Sequence, residues 1–303
     1  MNYSLKNIVN VIDESKVKFN EPLKKYTTFK IGGPADVLIE PSSEQDILNC
    51  VKFCKENNIP LHVLGNGSKV LIKDDGLRGV VLHLGKNYAK YSVENDEIYA
   101  TSGVSLPFLC VIAKKAGLSG LEFACGIPAT LGGAIYMNAG AYGSEMANIV
   151  TETTYLDAKL NICTVKAEEH EFGYRQSIFR KHPEYIILSC KMKLEKANIE
   201  DIEAKMNENR DSRIQKQPLE YASAGSAFKR PEGYFAGKLV QDAGLKGYSI
   251  GDAQVSTKHS GFVVNKGNAT AKDVCDLLEH IKNVVFEQFG VKLEEEIIIL
   301  GDE

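Results

Sequence analysis

No CxxC pair occurs among the seven cysteines of this 303-residue chain, and none of the six histidines stands at metal-ligand spacing from a cysteine or carboxylate. A disulfide framework and a structural metal are therefore not expected, and reduced core thiols are the default. Cys50 and Cys54, four apart on a predicted helix, come nearest to a pair. Long apolar runs are missing too, since none approaches the roughly 20 residues of a membrane span. The opening MNYSLKNIVNVIDESK has neither the basic region nor the unbroken apolar core of a secretory signal. A soluble, cytoplasmic protein is expected. The formal net charge of −4 offers no basic surplus, so neither nucleic acid nor an anionic membrane is an expected partner.

Several ligand fingerprints are also incomplete. Gly65-Asn66-Gly67 runs on into Ser-Lys-Val, so the GxGxxG dinucleotide pattern fails. The GKN at Gly85 and the GKL at Gly237 lack the hydroxyl residue of a P-loop, and no GxSxG elbow is present. There is no internal repeat and no low-complexity segment.

Glycine, by contrast, is concentrated. The stretch from Gly117 to Gly143, GLSGLEFACGIPATLGGAIYMNAGAYG, holds seven of the chain's 26 glycines in 27 residues. An average share would give roughly two. Glycine costs chain entropy and is used where backbone must reach positive φ or be touched directly. With few polar residues (Ser119, Glu122, Thr130, Asn138) and no Lys or Arg, the stretch suits a buried phosphate cradle lined by backbone N–H groups. One or two such glycines would mean tight turns; seven point to a ligand loop. The cradle would combine two glycine turns, Gly65 to Ser68 and Gly126 to Gly133.

Along the chain, a short amphipathic helix (Leu5 to Ile12) precedes a Gly32-Gly33-Pro34 turn and a strand at Ala35 to Ile39. A helix capped by Ser42 and Gln45 follows, with Ile47, Val51 and Cys54 on its apolar face. LHVL and VLI flank the first glycine turn, GVVLHL and EIYATSG read as strands, and Ser105 caps the helix SLPFLCVIAKKAG. From Ile149 to Leu194 the pattern is mostly strand, interrupted by EFGYRQSIF. A charged helix, IEDIEAKMNENRDSRIQK, comes next, then a small-residue loop, YASAGSAFKRPEG, and a helix from near Tyr234. Thr270 and Asp273 cap a last helix running to about Phe289, and EEEIIIL ends strand-like. The shift from strands to charged helix near Ala197 is the expected domain boundary.

VLGNGSKVLI, GIPATLGGAIYMNAGAYG, FGYRQSIF, GSAFKRP and LEEEIIIL, in this order, resemble the UDP-N-acetylenolpyruvoylglucosamine reductase (MurB) family, flavoenzymes of bacterial peptidoglycan synthesis. The resemblance runs from about Tyr26 to Glu296. It implies an α+β chain: a two-subdomain FAD-binding fold of the vanillyl-alcohol-oxidase (PCMH) type over residues 1–197, dividing near residue 84. An α+β substrate-binding domain would follow over 198–303, its C-terminal strand returning to the active site. It also implies NADPH as cosubstrate and a UDP-sugar as substrate. No histidine falls where relatives of the wider fold attach flavin, so FAD is expected to be noncovalent.

By the same resemblance, Tyr26, Gly65, Asn66, Gly67, Ser68, Lys69 and Val70 bind FAD together with Gly126, Ile127, Pro128, Ala129, Thr130, Gly133 and Ala134. Asn138 and Gly140 line the flavin side. Arg175, beside Tyr174, faces the enolpyruvyl carboxylate, a task suited to a guanidinium fork; by itself it would be a surface ion-pair partner. Ser226 is implied as proton donor, where the bland reading is a turn hydroxyl. Arg213, Lys216, Lys229 and Arg230 form a positive cluster for the substrate diphosphate, otherwise a solvated face, and Lys258 is a further nucleotide contact. Glu296 is the implied catalytic carboxylate, although acidic residues at a strand start are commonly solvent-facing. The chain departs from the family pattern in having Glu295 where Pro is usual, Asp252 where Gly is frequent, and no Tyr-bearing loop of the kind that closes over the diphosphate in longer relatives. It thus resembles the shorter branch. Two other classes stay open on the sequence: another FAD oxidoreductase of the same fold, acting on an alcohol or hydroxy acid, and a non-catalytic nucleotide-binding module.

Overall fold

Three apolar clusters supply the core, and each lies within one of two compact units. The computed structural model describes residues 3–301. The first unit comprises Met1–Lys18, Val37–Asn66 and Gly79–Arg213, and the second Phe19–Asp36, Gly67–Arg78 and Ile214–Glu303. The outer limits of the expected domains, residues 1 and 303, lie outside the described residues.

In the first unit, one cluster gathers Val37, Ile39, Ile47, Cys50, Cys54, Val80 and Leu82. It draws on a four-stranded sheet ordered Val17–Pro22, Pro34–Ile39, Leu77–His83 and Leu61–Leu64, with the last two parallel. The helix Glu44–Glu56 contributes Ile47, Cys50, Phe53 and Cys54 to the interior. Its cap sits one residue later than expected. Ser43 accepts from Asp46 N, and Asp46 returns the bond. Asp46 wins over Gln45 because its carboxylate collects donors from Ser42 N, Ser43 N and Lys16 Nζ, whereas Gln45 bonds Asn49. The N-terminal segment is helical only over Tyr3–Lys6 and then tightens to a 3-10 turn, Asn7–Asn10.

The other cluster of this unit fills one face of a five-stranded antiparallel sheet, ordered Ile162–Lys166, Val150–Leu156, Ile186–Lys193, Glu97–Thr101, Tyr91–Glu94. Helices Leu106–Lys115 and Leu131–Tyr136 pack there. Ser105 does occupy the N-cap of the first, but its side chain makes no capping bond. Backbone pairing with the glycine-rich stretch holds that helix start instead: Ser105 bridges Thr130, and Leu106 N donates to Ala129 O.

The charged helix Ile199–Lys216 stays with the first unit through Arg213, beyond the composition shift at Ala197. Only Ile202 and Asn209 on it are buried, so polar contacts dominate its attachment. Lys114 pairs with Glu203, Asn209 Nδ2 donates to Glu122 O, and Tyr142 OH donates to Asn209 O.

The second unit is built on an antiparallel sheet ordered Ala222–Ser226, Phe262–Asn265, Ala253–Val255, Ser249–Ile250. Its cluster joins that sheet to Ala236–Asp242 and Ala271–Phe289, and takes in Phe29, Ile31 and Leu71. Two expectations change here. The small-residue stretch is a strand over Ala222–Ser226, because pairing with Phe262–Asn265 supplies what its weak strand propensity does not. The C-terminal strand is short, Ile298–Leu300, and pairs in parallel with Val70–Ile72.

Thr270 and Asp273 form the expected capping box, and Asp74 accepts from Ala271 N and Lys272 N at the same helix start. The helix ends at Gly290 with φ +67. Thr270→Ala should therefore cost about 1 kcal/mol, the usual loss of a hydroxyl N-cap. A urea midpoint unchanged from wild type would show that Asp74 alone suffices.

Candidate active site

In the first unit the two glycine turns meet. Asn66 Nδ2 donates to Pro128 O at 2.6 Å. A Cβ on Gly65 would lie 2.3 Å from Thr130 Oγ1, and one on Gly132 would lie 2.8 Å from Ser102 Cβ. Thr130 Oγ1 also accepts from Gly133 N at the start of the following short helix. Ser102 Oγ is buried and has no hydrogen-bond partner. Closely packed glycine backbone with a buried hydroxyl that has no partner among the described residues fits the polar part of a nucleotide cofactor. Of the other expected residues here, Ala129 and Ala134 are buried, Ile127 is half-buried, and Pro128 is exposed.

Asn138 organises the next group. It is fully buried with φ +42, its Nδ2 donates to Gly173 O, and its Oδ1 accepts from Ala147 N. That ties the Arg175 loop to the turn around Gly140. Arg175 Nη2 reaches Gly140 O at 3.5 Å, and its guanidinium carbon lies 5.0 Å from the centre of the Tyr174 ring. Asn138, Gly140, Tyr174 and Arg175 therefore come together.

Arg175 also has positive φ, +56, a conformation costing on the order of 1–3 kcal/mol in a non-glycine residue. Arg180 Nη1 donates to Arg175 O and Ser177 Oγ to Tyr136 O, which holds the strained loop. His170 anchors its near side, between Lys166 O on Nδ1 and Thr153 Oγ1 on Nε2. Burial pushes the His170 pKa down, so the ring is neutral with its proton on Nδ1, donating to the carbonyl.

Arg213, expected in the substrate cluster, lies against Gly126, where an added Cβ would come within 2.7 Å of its Cδ. Burial lowers its pKa, which marks it as a partly desolvated cation.

In the second unit, Gly67 has φ +57, and a Cβ there would meet Tyr26 O at 2.2 Å. The turn is thus packed onto Tyr26 and Thr27, and Thr28 N donates to Gly67 O. Ser68 is half-buried, and Val70 pairs with Ile298. Lys69 behaves unlike a turn residue. Its ammonium lies 2.9 Å from Glu296 Oε1 and donates to Ser226 O at 2.7 Å. Glu296, Ser226 and Lys69 therefore form one group.

Glu296 is 5% exposed, whereas Glu294 and Glu295 pair with Lys229 and Lys282 at less buried positions. Among the three carboxylates, burial singles out Glu296. Lys229 is engaged by Glu294, Arg230 stacks over Phe235 at 4.0 Å, Lys258 donates to Ile214 O, and Lys216 is exposed.

Sequence reasoning placed Lys69 with the cofactor turn and not with Ser226 and Glu296, and it did not single out Ser102. A lone lysine in GNGSKVLI, directly before an apolar strand, is the signal that could have marked the first as more than a turn residue. Ser102 carries no such mark.

An α+β chain with paired glycine turns and an unsatisfied hydroxyl beside them is of the nucleotide-cofactor-binding class. Residues 35–165 match the family described as FAD binding domain, so the class is that of FAD-binding proteins. Residues 217–300 match the family described as UDP-N-acetylenolpyruvoylglucosamine reductase, C-terminal domain. A UDP-N-acetylenolpyruvoylglucosamine reductase from Clostridioides difficile (strain 630) is 48% identical over 297 residues, covering 98% of this chain and 97% of the relative. One from Caldanaerobacter subterraneus subsp. tengcongensis is 50% identical over 292 residues, covering 96% of each. The crystal structure of the MurB reductase from Thermus caldophilus superposes with a TM-score of 0.80 at 35% identity, covering 94% of this chain and 98% of that one. The chain belongs to the UDP-N-acetylenolpyruvoylglucosamine reductase family.

Gly65→Val should push the two turns apart at Thr130 and weaken FAD binding at least about 10-fold, a loss of roughly 1.4 kcal/mol. Titration of the apoprotein with FAD measures this; wild-type affinity in the variant would place the cradle elsewhere.

Proposed function

We propose that the protein reduces UDP-N-acetylglucosamine enolpyruvate to UDP-N-acetylmuramate, using noncovalent FAD and NADPH, in cytoplasmic peptidoglycan precursor synthesis. The observation that carries this reading is a buried carboxylate, Glu296, joined to Ser226 through one ammonium, in a chain of a family named for that reduction. Among the described residues no helix is long and apolar enough to cross a membrane. The partners are the UDP-sugar and NADPH, with neither nucleic acid nor membrane. We assign residues 1–197 to FAD and 198–303 to the substrate.

When bound, FAD supplies the redox chemistry, taking a hydride equivalent from NADPH and passing one to C3 of the enolpyruvyl group. The residues of this chain handle charge and protons. The backbone of Gly65 to Val70, with Gly126 to Ala134 and Tyr26, holds the cofactor, and Asn138 and Gly140 lie on the flavin side. Arg175 binds the substrate carboxylate with a planar fork, and its tethered loop fixes the direction of that fork before substrate arrives. Negative charge grows on the carboxylate as C3 is reduced, and Arg175 and Glu296, the latter protonated or hydrogen-bonded, stabilise it. Ser226 gives its hydroxyl proton to C2. A serine is a weak acid, so it works here only because the acceptor is carbanion-like. Tyr174, Arg213, Lys216, Lys229, Arg230 and Lys258 hold the UDP-sugar. An alcohol or hydroxy-acid oxidase of the same fold would need a base for the alcohol proton, and membership of this family removes both that reading and the non-catalytic module.

Ser226→Ala should leave bleaching of the flavin by NADPH intact. Reoxidation by the enolpyruvyl sugar should slow by about 10²–10⁴-fold, the range of general acid catalysis. Ser226→Cys should recover part of it, since a thiol also donates. Stopped-flow traces of the two half-reactions decide the matter, and normal reoxidation in Ser226→Ala would remove Ser226 from the mechanism.

A further inference from the structure

Each carboxylate of LEEE has its own lysine, yet the three pairs are not alike. Glu294 meets Lys229 and Glu295 meets Lys282 with one or both side chains well exposed. Glu296 and Lys69 are the most enclosed, at 6% and 19% side-chain exposure. Only Lys69 among these lysines also donates to the backbone of the proposed proton donor, at Ser226 O.

The backbone around this ammonium is a junction of three segments distant in sequence. Ile298 N donates to Lys69 O, and Ile298–Leu300 runs parallel to Val70–Ile72. On the other side, Glu296 N donates to Ala227 O and Lys229 N to Glu294 O, and Glu295 bridges Phe228. The Lys69 side chain leaves the first segment and bonds one residue of each of the other two. Its length spans the junction, and its three donors can serve a carboxylate and a carbonyl together.

We infer that Lys69 is a positioning residue for the reduction, acting through Glu296 and Ser226 and not as a ligand of the cofactor whose glycine turn contains it. The inference rests on the roles given above to Glu296 and Ser226. Two effects follow from the geometry. The ammonium fixes Glu296 Oε1 and the carbonyl end of the Ser226 strand relative to each other. It also places positive charge beside Glu296, which lowers the cost of bringing a substrate carboxylate that gains enolate charge near that side chain.

The test measures both half-reactions and FAD affinity in Lys69→Met, Lys69→Arg, Glu296→Gln and Lys69→Met/Glu296→Gln. Lys69→Met should slow reoxidation by the enolpyruvyl sugar at least about 10-fold more than it slows bleaching by NADPH, with FAD affinity within about 3-fold of wild type. Lys69→Arg should restore most of the lost rate. The double variant should reoxidise within about 3-fold of Glu296→Gln alone, because the two losses pass through one group. A fall in FAD affinity matching the loss of reoxidation would make Lys69 a cofactor ligand and overturn the inference. Multiplicative losses in the double variant, with Glu296→Gln itself slow, would overturn it while leaving the proposed function standing. Normal reoxidation in Glu296→Gln would remove the proposed carboxylate and this inference with it. Should Lys69→Met not fold, the double variant, which leaves neither charge unpaired, still carries the comparison with Glu296→Gln.

Discussion

A carboxylate withdrawn from water has to be matched by positive charge nearby, and the second unit is arranged around that requirement. Glu296 is nearly fully buried, and a buried charge left without compensation costs about 3–5 kcal/mol, a large share of a domain's net stability. Lys69 comes from the segment Gly67–Arg78, far from Glu296 in sequence, yet grouped with the C-terminal part of the chain. The pairing of Val70–Ile72 with Ile298–Leu300 and the bonds from Asp74 to the start of helix Ala271–Phe289 bind that segment in the same place. Charge, strand pairing and helix capping thus act on one short insert. The discontinuous make-up of the unit follows from them, not from any break in composition.

Much of the fold was legible because local signals are strong where one segment decides its own structure. The helix Ile199–Lys216 follows from its run of charged, helix-favouring residues, and Ala271–Phe289 from periodicity and the Thr270 and Asp273 box. The misreadings share a physical cause, a decision made by a distant partner. Ala222–Ser226 has no strand-forming side chains and becomes a strand because Phe262–Asn265 offers its edge. Ser105 stands at a helix start, but Thr130 and Ala129 hold the backbone there and the hydroxyl is not used. The attachment of the charged helix Ile199–Lys216 was equally hidden, since Asn209 and Tyr142 hold it to the glycine-rich stretch by polar contacts that no hydropathy pattern displays.

The same division runs through the site. Residue types and their order were readable, because a glycine turn or a YR pair is a local object. Which of three adjacent glutamates is withdrawn from solvent came from the family resemblance and not from the residues themselves, since alternation along LEEE is broken by a β-bridge at Glu295 and the choice depends on lysines at 69, 229 and 282. The positive φ of Arg175 was equally hidden. It is imposed by Arg180, Asn138 and the Gly173 bridge to Gln176, none of which marks residue 175 itself.

The glycines of the first turn carry a further lesson about what such residues are for. A dense set of glycines suggests backbone left open for a ligand. Gly65 and Gly67, however, are required by protein atoms first, Thr130 Oγ1 for the one and Tyr26 O for the other. Each is a point where two pieces of the same unit approach too closely for a Cβ. Contacts of that kind fix the turn before any ligand arrives, so its N–H groups need little further ordering on binding. Loops that would be flexible by composition are in this way made rigid by close packing, and the entropy that glycine adds to the unfolded chain is offset at the turns proposed to hold the cofactor.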